Sequence, residues 1–342
     1  MSRGLKALII VLIVAVITVI GFIVISKTGL GEPEQTQSAS VIEGGDVQIS
    51  TSTEEAVGPT FETPIISATA TSQVMTATPT IAPTFTPAPT EEPKATAVPI
   101  PEPPESKNGD PKIYTNSNMN GYIYVSYESS KKVKVMMNNG DQQEVYDLIG
   151  DGQYHRFTLH LGDGRYKIRL VENTTGNSYR VIDTVEFDCT LIDPNFPYLV
   201  PNSFVVYDND SEVIQFGLEL TRDAYTNEEK AHAIYDWIVR NISYDFSVVG
   251  KLEVGYVPDP QITYDTRMGI CSDFAVLFAS MCRSQGIPCK VVLGYYVKSE
   301  YYHAWNEVLI NGRWVLVDTS GDSQTEKYNF ERTEGYTKNK EH

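Results

Sequence analysis

Residues 266–288 read TRMGICSDFAVLFASMCRSQGIP. Phe274, Leu277, Phe278 and Met281 recur at helical spacing, with Ala275 and Cys282 beside the stripe. Gly286 suits the left-handed position after a helix, and Pro288 cannot continue one. The pattern predicts a helix from about Cys271 to Gln285. The stretch holds two of the chain's four cysteines. Cys282 lies three turns in and reads as core. Cys271 lies in the first turn, where free amides and the helix dipole favour a thiolate. Taken alone, Cys271 suits a buried small side chain or half a disulfide as well as a nucleophile. Cys282 and Cys289 flank the helix end and could meet, leaving Cys189 odd.

The next thirty or so residues bear on that choice. CKVVLGYYV (289–297) is nearly all apolar and reads as a strand buried on both faces. YHAWNEVLI and RWVLVDTS flank Asn311-Gly312, a strong short-range hairpin signal. A two-residue turn pairs Ile310 with Arg313, Leu309 with Trp314 and Val308 with Val315; Trp305 then faces Asp318. His303, Trp305, Leu309, Trp314, Leu316 and Asp318 fall on one side. His303 and Asp318 become diagonal neighbours, roughly 5–8 Å apart at Cβ. A carboxylate there holds one imidazole nitrogen and leaves the other as a base. The apolar residues on that side need cover, and the helix 271–285 is expected to supply it, its N-terminus at the His303 end. Cys271, His303 and Asp318 then line up as nucleophile, base and orienting group. The Cys271 N–H is a candidate oxyanion donor. Tyr264, Trp305 or another backbone amide are candidates for a second.

GICSDFAVLFASMCRSQGIPCKVVLGY, then YHAWNEV, then NGRWVLVDTS resemble the core of the transglutaminase-like superfamily, a papain-like cysteine fold. The family pattern G-x-C-x-[DE]-[FY]-A falls on GICSDFA, H-A-W on His303–Trp305, and the strand-ending Asp on Asp318. The resemblance covers about residues 200–320 and implies an α+β domain whose nucleophile helix packs on an antiparallel sheet. It implies the same three residue roles. Two departures stand out: Asp318 is followed by Thr-Ser rather than Pro-Thr, and a short polar tail follows Ser320.

Upstream, TNEEKAHAIYDWIVRNISYD (226–245) carries a Thr226/Glu229 capping box and a stripe of Ala231, Ile234, Tyr235 and Ile238. His232 lies off that stripe and reads as a solvated surface residue. DSEVIQFGLELTRD (210–223) also has helical spacing. Residues 108–190 alternate with period two between turn clusters, which predicts six or seven short strands in an all-β, immunoglobulin-like sandwich. His155 and His160 sit five apart on opposite faces, a poor metal pair. No loop of clustered Asp and Glu occurs, so no metal or cofactor is expected.

The 342-residue chain has a net charge of −17; residues 28–107 alone hold eleven acids and two bases. So acidic a chain has no electrostatic footprint for nucleic acid. Residues 7–25 are uncharged and almost wholly aliphatic, about the length of a membrane-spanning helix. Arg3 and Lys6 precede the span, so the positive-inside rule leaves the rest extracytoplasmic. The expected organisation is a transmembrane anchor (1–27), a disordered Thr/Pro/Ser-rich stalk (28–107), a β-sandwich (108–190), a transglutaminase-like catalytic domain (191–330) and a polar tail (331–342). A Cys-His-Asp site transfers acyl groups from amides. Whether water or an amine takes the acyl group is open at this point. The expected partners are a membrane and a protein or peptide substrate, with cell-wall material suggested by location alone. The competing expectation is a catalytically silent envelope scaffold on the same fold.

Overall fold

The computed structural model describes residues 36–41, 46–52, 97–105, 107, 110–249, 251–252, 256–296, 301–325 and 328–342. The expected span in residues 1–27 lies outside them, as does most of the expected stalk. Among the described residues no helix is long and apolar enough to cross a membrane.

Strands β1 (Thr36–Val41) and β2 (Asp46–Ser52) form an antiparallel hairpin. Next come β3 (Ile113–Tyr114), β4 (Tyr122–Val125), β5 (Val133–Asn139), β6 (Gln142–Leu148), β7 (His155–Thr158), β8 (Gly164–Thr175) and β9 (Ser178–Cys189). They make one sheet in the order β1-β2-β9-β8-β5-β6 and another in the order β3-β4-β7. Alternate residues of both sheets, among them Ile123, Val135, Phe157, Tyr166 and Ile168, close over one core.

Two parts of the expected stalk are therefore ordered elements. The first is the β1–β2 hairpin, which joins the edge of β9 with Asp46 opposite Arg180. A backbone ladder needs no hydrophobic period, so composition did not reveal it. The second is residues 97–105, which strap across the folded part. The Val98 N–H donates to Ser284 O at 2.7 Å, and the Tyr124 hydroxyl donates to Pro101 O at 3.0 Å.

The second region begins with α1 (Glu212–Leu220) and α2 (Asn227–Asn241). The expected capping box is present: Glu229 N–H donates to Thr226 Oγ1 at 3.1 Å, and Thr226 N–H to the Glu229 carboxylate at 2.9 Å. His232 is exposed, with its ring stacked on Phe330. After β10 (Ser243–Tyr244), α3 (Pro260–Thr266) and β11 (Met268–Gly269) comes α4 (Cys271–Arg283). Gly286, at φ 76°, turns the chain out of it. The chain continues through β12 (Cys289–Tyr296), β13 (Tyr301–Ile310), β14 (Arg313–Val317), α5 (Thr319–Thr325) and β15 (Tyr336–Glu341). The sheet order is β14-β13-β12-β15, all antiparallel.

The β13–β14 register runs from Ile310–Arg313 to Asn306–Val317, with Asn311 at φ 51° and Gly312 at φ 77° in the turn. That is the register and the turn the sequence predicts. The side covered by α4 is not. Helix α4 packs on Ala304, Val308, Ile310, Val315 and Val317, the face opposite His303 and Trp305. These small and branched residues make a shallow surface on which Phe274, Leu277 and Phe278 can lie. Fully burying each of those three is worth about 1.5–3 kcal/mol. The bulky face turns the other way, where Trp314 meets Tyr198 at 5.5 Å and Trp305 meets Tyr336 at 5.0 Å.

Residues 331–342, read from sequence as a polar tail, include β15, which pairs along β12. Its Thr-Lys-Asn-Lys-Glu composition hides a strand whose polar side chains are taken up by neighbours. Lys338 binds Glu307 at 2.8 Å, Lys340 binds Glu144 at 2.9 Å, and Glu341 accepts from Tyr198 at 2.5 Å.

Candidate active site

Cys271 opens α4 and is half-buried. The residue before it, Ile270, has no side chain that could cap the helix, so the first-turn N–H groups are not consumed by one. Asp273 instead reaches back to the Ile270 N–H at 2.7 Å and accepts the Tyr256 hydroxyl at 2.8 Å. Burial raises its carboxyl, although both of these bonds favour the charged form.

His303 lies near the start of β13. Its Nε2 is 3.0 Å from Asp318 Oδ2, which leaves Nδ1 uncommitted; the Cys271 thiol lies close enough to act on the ring. The two meet although α4 and His303 belong to opposite faces. The physical reason is that β14 stops at Val317. From Trp305 back to the start of β13 the outer edge has no neighbouring strand among the described residues, so a side chain can be reached round it. Asn306 ties the two elements together, donating to Ala275 O at 2.9 Å and to Lys290 O at 3.0 Å.

Asp318 is 3% exposed and each of its oxygens takes two donors. Oδ2 accepts from His303 and, at 2.7 Å, from the Tyr336 hydroxyl. Oδ1 accepts from Ser320 Oγ at 3.1 Å and the Gly321 N–H at 2.9 Å. Residue 321 must be glycine here, since a Cβ would stand 2.5 Å from Asp318 Oδ2. Burial pushes the carboxyl up, but the His303 imidazolium, Arg332 and the Gly321 N–H outweigh it and hold Asp318 far below the carboxylate range. Burial likewise pulls His303 down, but Asp318 and the Cys271 thiol raise it to about 10. The ring therefore keeps its proton through neutral pH. Behind Asp318, the buried Asp322 is held by Arg332 and by the Tyr235 hydroxyl at 2.6 Å.

Neither of the side chains expected to supply a second oxyanion donor is the one beside the thiol. Tyr264 packs with Phe216 and Trp237 under the Arg267 guanidinium. Trp305 turns toward Tyr336. Tyr244 is a side chain close to Cys271: the thiol and main chain of Cys271 both act on its phenol. Burial and the neighbouring thiol push that phenol well above its ordinary range, so it stays a donor. The parallel pairing of Tyr244 with Gly269, two residues before the cysteine, brings it there. The sequence pattern gives Tyr244 no role, because a two-residue pairing between distant segments leaves no local signal. Among the described residues no cluster of three His, Cys, Asp or Glu gathers as a metal site.

A family model described as the transglutaminase-like superfamily matches residues 214–319, which run from within α1 to just past β14 and contain the three residues just described. Residues 214–319 are a transglutaminase-like domain. Human kyphoscoliosis peptidase is 34% identical over 133 residues, covering 34% of this chain and 20% of that protein. The uncharacterised protein YebA of Bacillus subtilis is 30% identical over 131 residues, covering 35% of this chain and 17% of its own. The chain thus spans about a fifth of the length of the curated relatives it matches. A solved structure of a candidate cysteine protease from Cytophaga hutchinsonii is 20% identical, covering 64% of this chain and 74% of its own, with a TM-score of 0.35.

Proposed function

We propose that this protein transfers acyl groups from protein or peptide amides, with Cys271 as nucleophile, His303 as general acid and base, and Asp318 as the group that orients the imidazole. The observation that carries the reading is the run of contacts from the Cys271 thiol through the His303 ring to Asp318, at the unblocked N-terminus of α4. It is supported by the transglutaminase-like domain and by a curated relative named as a peptidase.

A protonated His303 beside Cys271 is the partner that a thiolate needs. In the first half-reaction the sulfur attacks the amide carbonyl, and the oxyanion that forms takes the Cys271 N–H and the Tyr244 hydroxyl as donors. The C–N bond then breaks, and the proton on His303 Nδ1 goes to the departing amine, leaving a thioester. In the second, water or a primary amine attacks the thioester, His303 takes its proton, and the sulfur leaves. Asp318 keeps the ring in one tautomer throughout.

The same proposal places the domain outside the cytoplasm. Residues 7–25 anchor it, and the β module, immunoglobulin-like in build, acts as a spacer. Envelope proteins or wall peptides are then its substrates.

Two measurements test this reading. Iodoacetamide near neutral pH should label Cys271 at least tenfold faster than a free thiol, and His303→Ala should abolish the advantage; equal rates would refute catalysis. A glutamine-rich protein with a fluorescent amine should then give either incorporation or cleavage, which separates cross-linking from hydrolysis. Tyr244→Phe should lower kcat by about 10²-fold with KM nearly unchanged and Cys271 still labelled. An unchanged kcat would remove Tyr244 from the oxyanion site.

A further inference from the structure

Strand β15 joins the Asp318 carboxylate to the β module. At its start Tyr336 donates to Asp318 Oδ2 at 2.7 Å, the same oxygen that binds His303 Nε2. Its ring lies 5.0 Å from Trp305 and 5.2 Å from Tyr296. At the other end Lys340 pairs with Glu144 of the β module, Glu341 accepts from Tyr198, and the His342 ring stacks on Phe204 at 4.4 Å. A break in register between Leu293 and Gly294 accommodates an extra residue between these two ends.

We propose that Tyr336 is a positioning residue: its hydroxyl, carried by β15, fixes the Asp318 carboxylate and limits how tightly that carboxylate holds the His303 proton. This rests on the acyl-transfer reading above. Two donors on one carboxylate oxygen share its charge. Removing one leaves the oxygen more basic toward the other, so the imidazolium becomes harder to deprotonate. A stronger donor at 336 does the reverse. The groups around the ring are Cys271 on α4, with Tyr244 of β10 beyond it, Asp318 after β14, Trp305 on β13 and Tyr336 on β15. Arg332 and Asp322 stand behind Asp318. None but Tyr336 and His303 donates to Oδ2 among the described residues.

The test is alkylation of Cys271 in the full chain by iodoacetate, followed by peptide mass spectrometry across pH. The reagent is an anion, so its rate falls when the imidazolium loses its proton, and that upper limb reports on His303. Tyr336→Phe keeps the ring and should move the limb up by about half a pH unit or more, with little change in melting temperature. 3-Fluorotyrosine at position 336, a stronger donor of the same shape, should move it down; it also decides the matter if Tyr336→Phe does not fold. A limb that stays put in the folded variants, even with a lowered melting temperature, overturns the proposal and leaves Tyr336 a packing residue. A wild-type Cys271 that reacts no faster than a free thiol and shows no limb would instead refute the acyl-transfer reading, and this proposal with it.

Discussion

Asp318→Asn is expected to lower acyl transfer by about 10⁴-fold without removing Cys271 or His303. The reason is the placement of donors around the carboxylate. Oδ1 faces the Gly321 N–H and Ser320, and Oδ2 faces His303 and Tyr336. An asparagine must turn its NH₂ to one side. The Gly321 N–H cannot turn round, whereas the imidazole can change tautomer and the Tyr336 hydroxyl can rotate. The NH₂ therefore points at His303 Nε2, and the ring proton is forced onto Nδ1, the nitrogen that must accept from the thiol. Single-turnover kinetics with an activated ester checks this; a loss under tenfold would remove Asp318 from the mechanism.

The same variant has a pH signature in stability. His303 is raised from an ordinary 6.5 to about 10, so its contribution is whole below pH 6.5 and is lost as pH climbs through 10. Asp318 is lowered from 3.8, so its contribution is whole above that value and is lost as pH falls. Wild type and Asp318→Asn should therefore differ most in melting temperature between about pH 4 and 6.5, and converge toward pH 10. A constant difference over that range would contradict the ion pair.

Arg283→Met is expected to destabilise the fold by about 3–5 kcal/mol, read as a lower urea midpoint at unchanged slope. Arg283 ends α4, is 0% exposed and meets no Asp or Glu side chain among its hydrogen-bond partners. Its guanidinium donates to three carbonyls of three separate segments: Cys289 O at 2.8 Å, Val200 O at 2.9 Å and His342 O at 2.8 Å. Burial lowers its pKa, the mark of a charge kept out of water at a cost. Removing it relieves that cost but leaves three carbonyls without their donors. Lysine offers a single point of donation and cannot span them, so Arg283→Lys should lose most of the same stability. A change below about 1 kcal/mol in either variant would show that water replaces the guanidinium without penalty.

The hairpin shows why part of the site could be read from sequence. Asn-Gly fixes a two-residue turn, the turn fixes register, and register with a period of two fixes which side chains share a face. His303 and Asp318 follow from that local chain of reasoning. Helix α4 was equally legible, because Phe274, Leu277 and Phe278 repeat at its pitch and Gly286 ends it. Which sheet face α4 covers was not. Period two says that two faces differ and is silent on which partner each will meet. The choice of the Ala304–Val308 side was made by the fit of a helix to small residues and by the Asn306 bond to Ala275 O.

The rest of the site depends on contacts distant in sequence. Tyr244 reaches Cys271 through a parallel pairing 25 residues long-range in sequence, Tyr244 with Gly269, and Tyr336 reaches Asp318 from a strand whose residues look like a solvated tail. Sequence by itself determined helix α4, the β13–β14 hairpin and the three residues proposed to carry the chemistry, since turn geometry and side-chain periodicity act over a few residues. Only the tertiary structure decided how those three meet round the open edge of β13, and which tyrosines complete them. Those contacts are set by packing and by backbone ladders, which no local pattern encodes.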